Sequence, residues 1–267
     1  MVSAMTEGEF KKFKTFIYDH AGIDLAPTKQ VMVASRLNKR LNHYQLANYS
    51  EYFALVMNPD NKQEFQLMVD LLTTNETYFF REPKHFEFLK KEILQPWRGQ
   101  EFRLWSAASS SGEEAYSIAM ILAENLKGRS WQILGTDLST KVLSKAHQGV
   151  YMMDRIELLD QQLMRKYCLK GVRTQENTFR IGEKIRQRVR FKQLNLMKPM
   201  PPKIGKFDVI FLRNVLIYFD NETKKQVVER IISALKPGGY FFISHSETLS
   251  RITDKLEMVQ PSIYIKR

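Results

Sequence analysis

The feature that most constrains this chain is a change of hydrophobic period near residue 100. Before it, apolar residues recur at helical spacing: Phe10, Phe13, Phe16 and Ile17 in EFKKFKTFIYDHAGI, then Val33, Leu37 and Leu41 in VMVASRLNKRLNHY. YSEYFALVM, ending near Asn58-Pro59, and NKQEFQLMVDLLT predict two more helices, and no strand-like alternation interrupts residues 7–72. After it, short apolar runs alternate with helical patterns. FRLWSAA, WQILGTDLS, FDVIFLRN, YFFISHS and PSIYIKR are strand candidates; EEAYSIAMILAENL, TKVLSKAHQ and NETKKQVVERIISAL are the helices among them. FDVIFLRN is apolar almost throughout, as a strand covered on both faces must be. Lys236-Pro237-Gly238-Gly239 marks the end of the last helix. The alternation predicts an α/β domain, its sheet mostly parallel with helices on both faces, preceded by a small all-α domain.

Residues 154–192 break that rhythm. IELLDQQLMRKYCL reads as a helix, and TFRI and KIRQRVRFKQL then alternate. Arg186, Arg188, Arg190 and Lys192 share one face; Ile185, Gln187, Val189 and Phe191 share the other. That pattern predicts a half-exposed antiparallel ribbon, hence a small antiparallel β-subdomain inserted at about 154–190 whose last strand runs into the main sheet at FKQLNL. The expected organisation is a helical domain over 1–72, a linker over 73–90 and the α/β domain over 91–267, sizes that suit two unequal domains.

One cysteine, Cys168, excludes a disulfide framework and a cysteine-rich zinc site, and fits a reducing cytoplasm. No apolar run approaches the ~18–20 residues of a membrane span, and MVSAMTEGEFKKFK is too polar for a signal peptide. The expectation is a cytoplasmic protein without membrane insertion. The net charge of +12 is uneven. Residues 25–50 hold Lys29, Arg36, Lys39 and Arg40 and no acid, and residues 151–206 hold 14 Lys/Arg against 5 Asp/Glu. Such patches suit an acidic partner, or serve solubility alone.

The chemistry-bearing stretch is RLWSAASSSGEEAYSIAM. A loop after a buried strand presents its backbone at the carboxyl edge of the sheet, where ligands bind in open α/β folds. Ala107 to Gly112 are six small residues in a row, which admit a ligand close to the backbone. One glycine, with Glu113 and Glu114 opening the helix, argues against a pyrophosphate and for a cationic or ammonium-bearing ligand. Asp137, at the end of WQILGTD, either accepts hydrogen bonds from ribose hydroxyls or caps the next helix. Together these residues favour a nucleoside with an amino-acid tail and no phosphate, a description that S-adenosylmethionine fits. Nucleophile-elbow, zinc-protease and P-loop motifs are absent, no Cys/His cluster is visible, and no metal is expected. TTNETYFFREPKHF is either a further site segment or an amphipathic linker helix; Arg213 and Asn214 stand where FDVIFLRN ends.

LLTTNETYFFREPKHF, LWSAASSSGEEAYSIA, ILGTDLS, VIFLRNVLIYFD and LKPGGYFFISHSE, in this order, resemble the CheR-type chemotaxis receptor methyltransferases. The resemblance covers nearly the whole chain. It implies a small N-terminal helical domain, a linker and a Rossmann-like methyltransferase domain with an inserted antiparallel β-subdomain. It implies transfer of the methyl of S-adenosylmethionine to glutamate side chains on chemoreceptor cytoplasmic helices, leaving S-adenosylhomocysteine. By the matching motifs, Asn75, Thr77 and Arg81 contact the methionine end or line the transfer site. Glu113 binds near the methionine portion, with Ala107 beside it. Asp137 holds the ribose, Asn195 and Leu196 flank the adenine, and Arg213 and Asn214 close the other side. Arg81, Arg213 and Tyr218 are expected to orient or partly neutralise the incoming glutamate. A basic N-terminal helix, with Arg36, Lys39 and Arg40, is expected to face the receptor. Family members that tether to a receptor tail have a glycine-rich subdomain turn; GVRTQEN here has no second glycine before Gly182, which puts tethering in doubt. No nucleic-acid partner is expected, and the chain is expected to be a monomer. Two rival readings compete, a methyltransferase acting on RNA, small molecules or a different protein, and a cofactor-bound regulatory or adaptor module without turnover.

Overall fold

The computed structural model describes residues 4–156 and 158–267. Its N-terminal part is four helices, α1 (Glu7–Ala21), α2 (Gln30–His43), α3 (Tyr49–Met57) and α4 (Lys62–Leu72). Their limits follow local chemistry. Thr6 and Glu9 form a reciprocal capping box at the start of α1, and Gly22 ends it in the left-handed conformation that favours glycine. The apolar stripe read from the sequence closes this core: Phe13, Ile17, Val33, Leu37 and Leu41 are all fully buried.

One ionic cluster crosses that core. Arg40 donates from Nε and Nη2 to the Glu64 carboxylate at 2.8 and 2.6 Å, and the buried Tyr52 hydroxyl donates to it at 2.7 Å. Burial alone would raise the Glu64 pKa, but these donors hold it below the ordinary carboxylate range. The expected patch of Arg36, Lys39 and Arg40 is therefore corrected. Arg40 is spent inside the domain, Arg36 donates to the carbonyls of Leu71 and Thr73 at 3.2 and 3.0 Å, and only Lys39 is fully exposed.

After α4 the chain runs without helix to α5 (Pro83–Phe88), so TTNETYFFREPKHF is a linker helix only at its end. The α/β part then reads β1 (Glu101–Ser106), α6 (Glu113–Asn125), β2 (Ser130–Asp137), α7 (Thr140–Gln148), β3 (Val150–Met152), α8 (Gln161–Tyr167), β4 (Cys168–Lys170), β5 (Thr178–Ile181), α9 (Glu183–Arg186), β6 (Val189–Gln193), β7 (Phe207–Phe211), α10 (Asn221–Ser233), β8 (Leu235–Phe242), β9 (Leu256–Gln260) and β10 (Ile263–Lys266). The main sheet has the order β6-β2-β1-β7-β8-β10-β9, parallel from β6 to β8 and antiparallel at β10 and β9. Strand residues alternate between two cores. Val209 and Phe211 join the layer of α6, whereas Ile210 joins the layer of α10.

Five details differ from the sequence reading. The small antiparallel sheet is β3-β5-β4 and spans Val150 to Ile181, not 154–190. KIRQRVRFKQL is no antiparallel ribbon: Glu183–Arg186 is a helical turn, and Val189–Gln193 is a parallel edge strand on β2. Period-two alternation marks any half-exposed strand, and an edge strand of a parallel sheet is one. The helix expected over IELLDQQLMRKYCL shortens to Gln161–Tyr167, capped by Asp160, with Glu157 outside the described residues. Strand β9 went unread, and β8 already begins at Leu235, so Lys236-Pro237-Gly238-Gly239 ends α10 but lies within a strand.

Glu64 gives a stability test of the N-terminal core. Glu64→Ala leaves the Arg40 guanidinium and a buried Tyr52 hydroxyl without their acceptor, and loss of one partner of a buried pair costs about 3 kcal/mol. Urea unfolding should show a loss of that order, with Tyr52→Phe costing less.

Candidate active site

Strand β1 stands between β2 and β7, so successive crossovers leave it in opposite directions, and a crevice opens where they part. A cavity of about 510 Å³ fills that crevice, within the usual range for small-molecule sites. Its walls are the carboxyl ends of four strands. Ala107 and Ala108 follow β1, Asp137 ends β2, Leu194, Asn195 and Leu196 follow β6, and Arg213 and Asn214 follow β7. The linker adds Asn75, Thr77 and Arg81, the loop before α10 adds Tyr218, and the helical domain adds Lys29, Met32 and Arg36.

Of the residues expected at a cofactor site, Asn75, Thr77, Arg81, Ala107, Asp137, Asn195, Leu196, Arg213, Asn214 and Tyr218 line this one cavity. Glu113 does not. It is buried beside the loop, accepts from Ser111 Oγ at 2.7 Å, and burial raises its pKa. The neighbouring Glu114 lines the cavity instead. Consecutive helical residues point about 100° apart, and Glu113-Glu114 gives no sign of which one faces inward.

Asp137 is not the cap of the next helix. Helix α7 is capped by Ser139, whose side chain accepts from Val142 N. Asp137 accepts from Ser139 N at 3.0 Å through Oδ1 and from Ser110 N at 2.9 Å through Oδ2. Burial raises its pKa, with these backbone donors opposing. A carboxylate offers about four acceptor positions; two are used, and those that remain suit a pair of hydroxyl groups. The loop itself is formed as its small residues allow. Ser110 takes φ 47° and Gly112 φ 97°, and a Cβ on Gly112 would lie 3.0 Å from Ala146 Cβ. Ser110 Oγ then binds the Asn75 carbonyl at 2.9 Å, which ties the loop to the linker.

Arg213 is held by three groups of the protein. Only 2% exposed, it meets Glu114 at 3.1 Å and Glu82 at 3.2 Å, and Nη2 donates to the Arg81 carbonyl at 2.5 Å. Its charge is balanced within the protein, so it is placed to hold the wall and not to offer a free cation. Arg81 is the available one: its guanidinium lies over the Tyr78 ring and donates to the Glu76 carbonyl at 3.0 Å. Tyr218 is half-buried, and burial raises its pKa, so its hydroxyl donates hydrogen bonds and does not serve as a base near neutral pH. Asn195 lines the cavity, while its Nδ2 donates to the His20 carbonyl at 2.7 Å and so fastens the helical domain.

Behind Arg213 lies a cluster that no sequence motif announced. Glu82, His85 and His245 bring one potential ligand atom each within 4.8 Å of one another. His85 Nε2 and His245 Nδ1 both meet Ser262 Oγ, at 2.7 and 2.8 Å. Among the described residues this is the group able to hold a metal, but the Glu82 oxygen that a cation would share is already met by Arg213. Burial opposes the Glu82 charge, yet Arg213, Ser244 and His85 hold its pKa below the ordinary value. Burial, aided by Arg213, pushes His85 down to about 3.

An all-α domain precedes an α/β domain whose cavity lies at the switch point of its parallel sheet, and known proteins of similar sequence share this two-part build. Residues 8–73 match the model of the CheR methyltransferase all-alpha domain, and residues 75–265 that of the CheR methyltransferase SAM binding domain. The chemotaxis protein methyltransferase of Escherichia coli K12 is 37% identical over 98% of this chain and 91% of its own. That of Borreliella burgdorferi is 37% identical over 98% and 95%, and a probable one from Rhizobium etli 41% identical over 88% and 90%. The chain belongs to the CheR methyltransferase family and is an S-adenosylmethionine-dependent methyltransferase. Among the described residues no helix is long and apolar enough to cross a membrane.

The His85 environment has a pH signature. A histidine with a depressed folded pKa lets the unfolded state bind more protons between its two values, so stability is lost as pH falls from about 6.5 toward 3. By pH 5 the loss should reach roughly 2 kcal/mol. His85→Gln should flatten the stability profile between pH 6.5 and 4.5, measured by urea midpoints at each pH; an unchanged slope would show that His85 is not held neutral.

Proposed function

We propose that this enzyme transfers the methyl group of S-adenosylmethionine to glutamate carboxylates of chemoreceptors, giving glutamate methyl esters. The observation that carries the reading is Asp137, a buried carboxylate with spare acceptor positions, set in a wall of small residues at the switch point. Asp137 receives the ribose hydroxyls. Asn195 and Leu196 flank the adenine, Ala107 admits the ligand close to the backbone, and Asn75, Thr77 and Arg81 surround the methionine end. Asn214 closes the wall beside Arg213, and Glu113 supports the loop from beneath. S-Adenosylmethionine supplies an electrophilic methyl on a sulfonium. The protein's share is to align the acceptor and exclude water. A glutamate, with pKa about 4.3, is ionised at neutral pH and needs no base. Arg81 and the Tyr218 hydroxyl orient it, while Arg213 acts through the wall it holds. As a carboxylate oxygen bonds to the methyl carbon, the carbon–sulfur bond breaks and S-adenosylhomocysteine leaves.

The mouth carries cations beside the acids Asp24 and Glu76. Lys29, Arg36 and Arg81 line the cavity, and Lys39 stands exposed on α2. Acidic receptor helices approach this side, steered by charge. The turn after β4 places glycine at Gly171, where a Cβ would lie 1.9 Å from the Gln175 carbonyl oxygen, and receptors are met without a tail tether. The protein works as a cytoplasmic monomer.

The test is incubation with methyl-labelled S-adenosylmethionine and chemoreceptor-containing membranes, followed by base. Label on receptor bands, released as methanol, is the expected result, with affinity for S-adenosylhomocysteine down at least about tenfold in Asp137→Ala from loss of a charged acceptor. Cofactor binding without receptor label would sink the substrate assignment. Lys39→Glu should lower receptor methylation at low salt and leave cofactor affinity unchanged, whereas Arg40→Glu should destabilise the helical domain. Equal loss of cofactor binding in Lys39→Glu would refute the steering role.

A further inference from the structure

The small sheet lies outside the cavity, yet it reaches the cavity wall at two backbone carbonyls. Tyr151, buried on β3, donates from its hydroxyl to the Ser111 carbonyl at 2.7 Å. Arg155, just after β3, donates from Nη1 to the Thr77 carbonyl at 2.9 Å. Neither acceptor sits in a helix or strand. Ser111 belongs to the loop whose Ser110 N–H binds Asp137, and Thr77 belongs to the linker that lines the cavity. The two segments are joined by Ser110 Oγ on the Asn75 carbonyl, so the donors from the small sheet brace one continuous piece of wall from behind.

Packing reinforces the contact. Phe79 of the linker meets the Tyr151 ring edge-on at 4.9 Å and Phe179 of β5 at 5.5 Å. A Cβ on Gly112 would lie 3.1 Å from the Tyr151 hydroxyl, so the loop backbone is pressed against it. Burial holds the Tyr151 pKa well above its ordinary value, which leaves the hydroxyl a donor throughout the working range.

We propose that Tyr151 and Arg155 are positioning residues of the methyl-transfer reaction: by holding the Ser111 and Thr77 carbonyls they set the affinity of the cavity for the methyl donor and couple that affinity to the order of the small sheet. The proposal rests on the reading of the cavity as the S-adenosylmethionine site. Linkage makes the coupling reciprocal. A loop held open in the shape that fits the ligand binds more tightly, and a bound ligand quiets the residues that hold the loop.

The experiment measures S-adenosylhomocysteine binding by calorimetry and receptor methylation kinetics for wild type, Tyr151→Phe, Arg155→Ala and Arg155→Lys. Leu169→Ala, on the exposed part of β4, is the control. Tyr151→Phe and Arg155→Ala should each weaken binding roughly fivefold, the equivalent of one hydrogen bond. KM for S-adenosylmethionine should rise to match, with kcat and KM for receptor unchanged. Arg155→Lys should restore most of the affinity, and Leu169→Ala should behave as wild type. Hydrogen exchange at residues 150–155 should slow when S-adenosylhomocysteine binds wild type and respond less in Tyr151→Phe. Wild-type affinity in both Tyr151→Phe and Arg155→Ala would overturn the proposal, as would a fall in kcat with KM unchanged. Failure of wild type itself to bind S-adenosylhomocysteine would instead overturn the cavity assignment, and this inference with it.

Discussion

A buried guanidinium organises this enzyme. Arg213 sits at the end of the central strand β7 with its charge balanced by Glu82 and Glu114. An isolated charge at that depth would be prohibitive, and the pair of carboxylates is what makes it tolerable. The consequence is geometric. Glu114 fixes the first turn of α6, Glu82 fixes the end of the linker, and the Arg81 carbonyl is bound as well. Three segments distant in sequence are thus held to one point, and the cavity has the shape their meeting leaves. The cost shows in the backbone around it: Phe80, Glu82, Ser110 and Asn214 all carry positive φ, between 47 and 60°. Such conformations persist where surrounding contacts over-determine them, and they gather at functional sites.

The helical domain is part of the same construction. Tyr18 donates to Asp220 at 2.6 Å, Asp24 N to the Tyr218 carbonyl at 2.8 Å, and Asp70 receives Thr140 and Lys141 N–H groups at 3.0 and 3.1 Å. These bonds close one side of the crevice with α2 and the turn before it, so the residues at the mouth belong partly to the domain that lacks the nucleoside site. Separation of labour follows. The strand ends supply most of the polar groups of the cavity wall, and the helical domain adds the cations Lys29 and Arg36.

Much of this was legible in the residues. The four helices and the central strands β1, β2 and β7 followed from period alone, because their buried faces are long and uninterrupted. Asp137, Asn214 and Ala107 followed from position, since the ends of parallel strands at a switch point converge. What the sequence could not reveal was pairing across distance. Glu114 and Arg213 stand 99 residues apart, and His85 and Ser262 177 apart. Arg40 looked like a free cation because nothing local marks Glu64 as its partner. The Glu113-Glu114 pair hid which acid faces the cavity, and the subdomain defeated period reading because its elements are three or four residues long, too short for any periodicity to declare itself.

Strand β6 carries a last consequence. It pairs only with β2, so its other side presents unpaired backbone groups, a template on which a second chain could add. Arg190 and Lys192 stand exposed along it. A copy of the same strand brought alongside would set like charges against like. Arg190 and Lys192, which first read as a lure for an acidic partner, therefore also act as a fence, keeping an exposed sheet border from zipping onto its own kind.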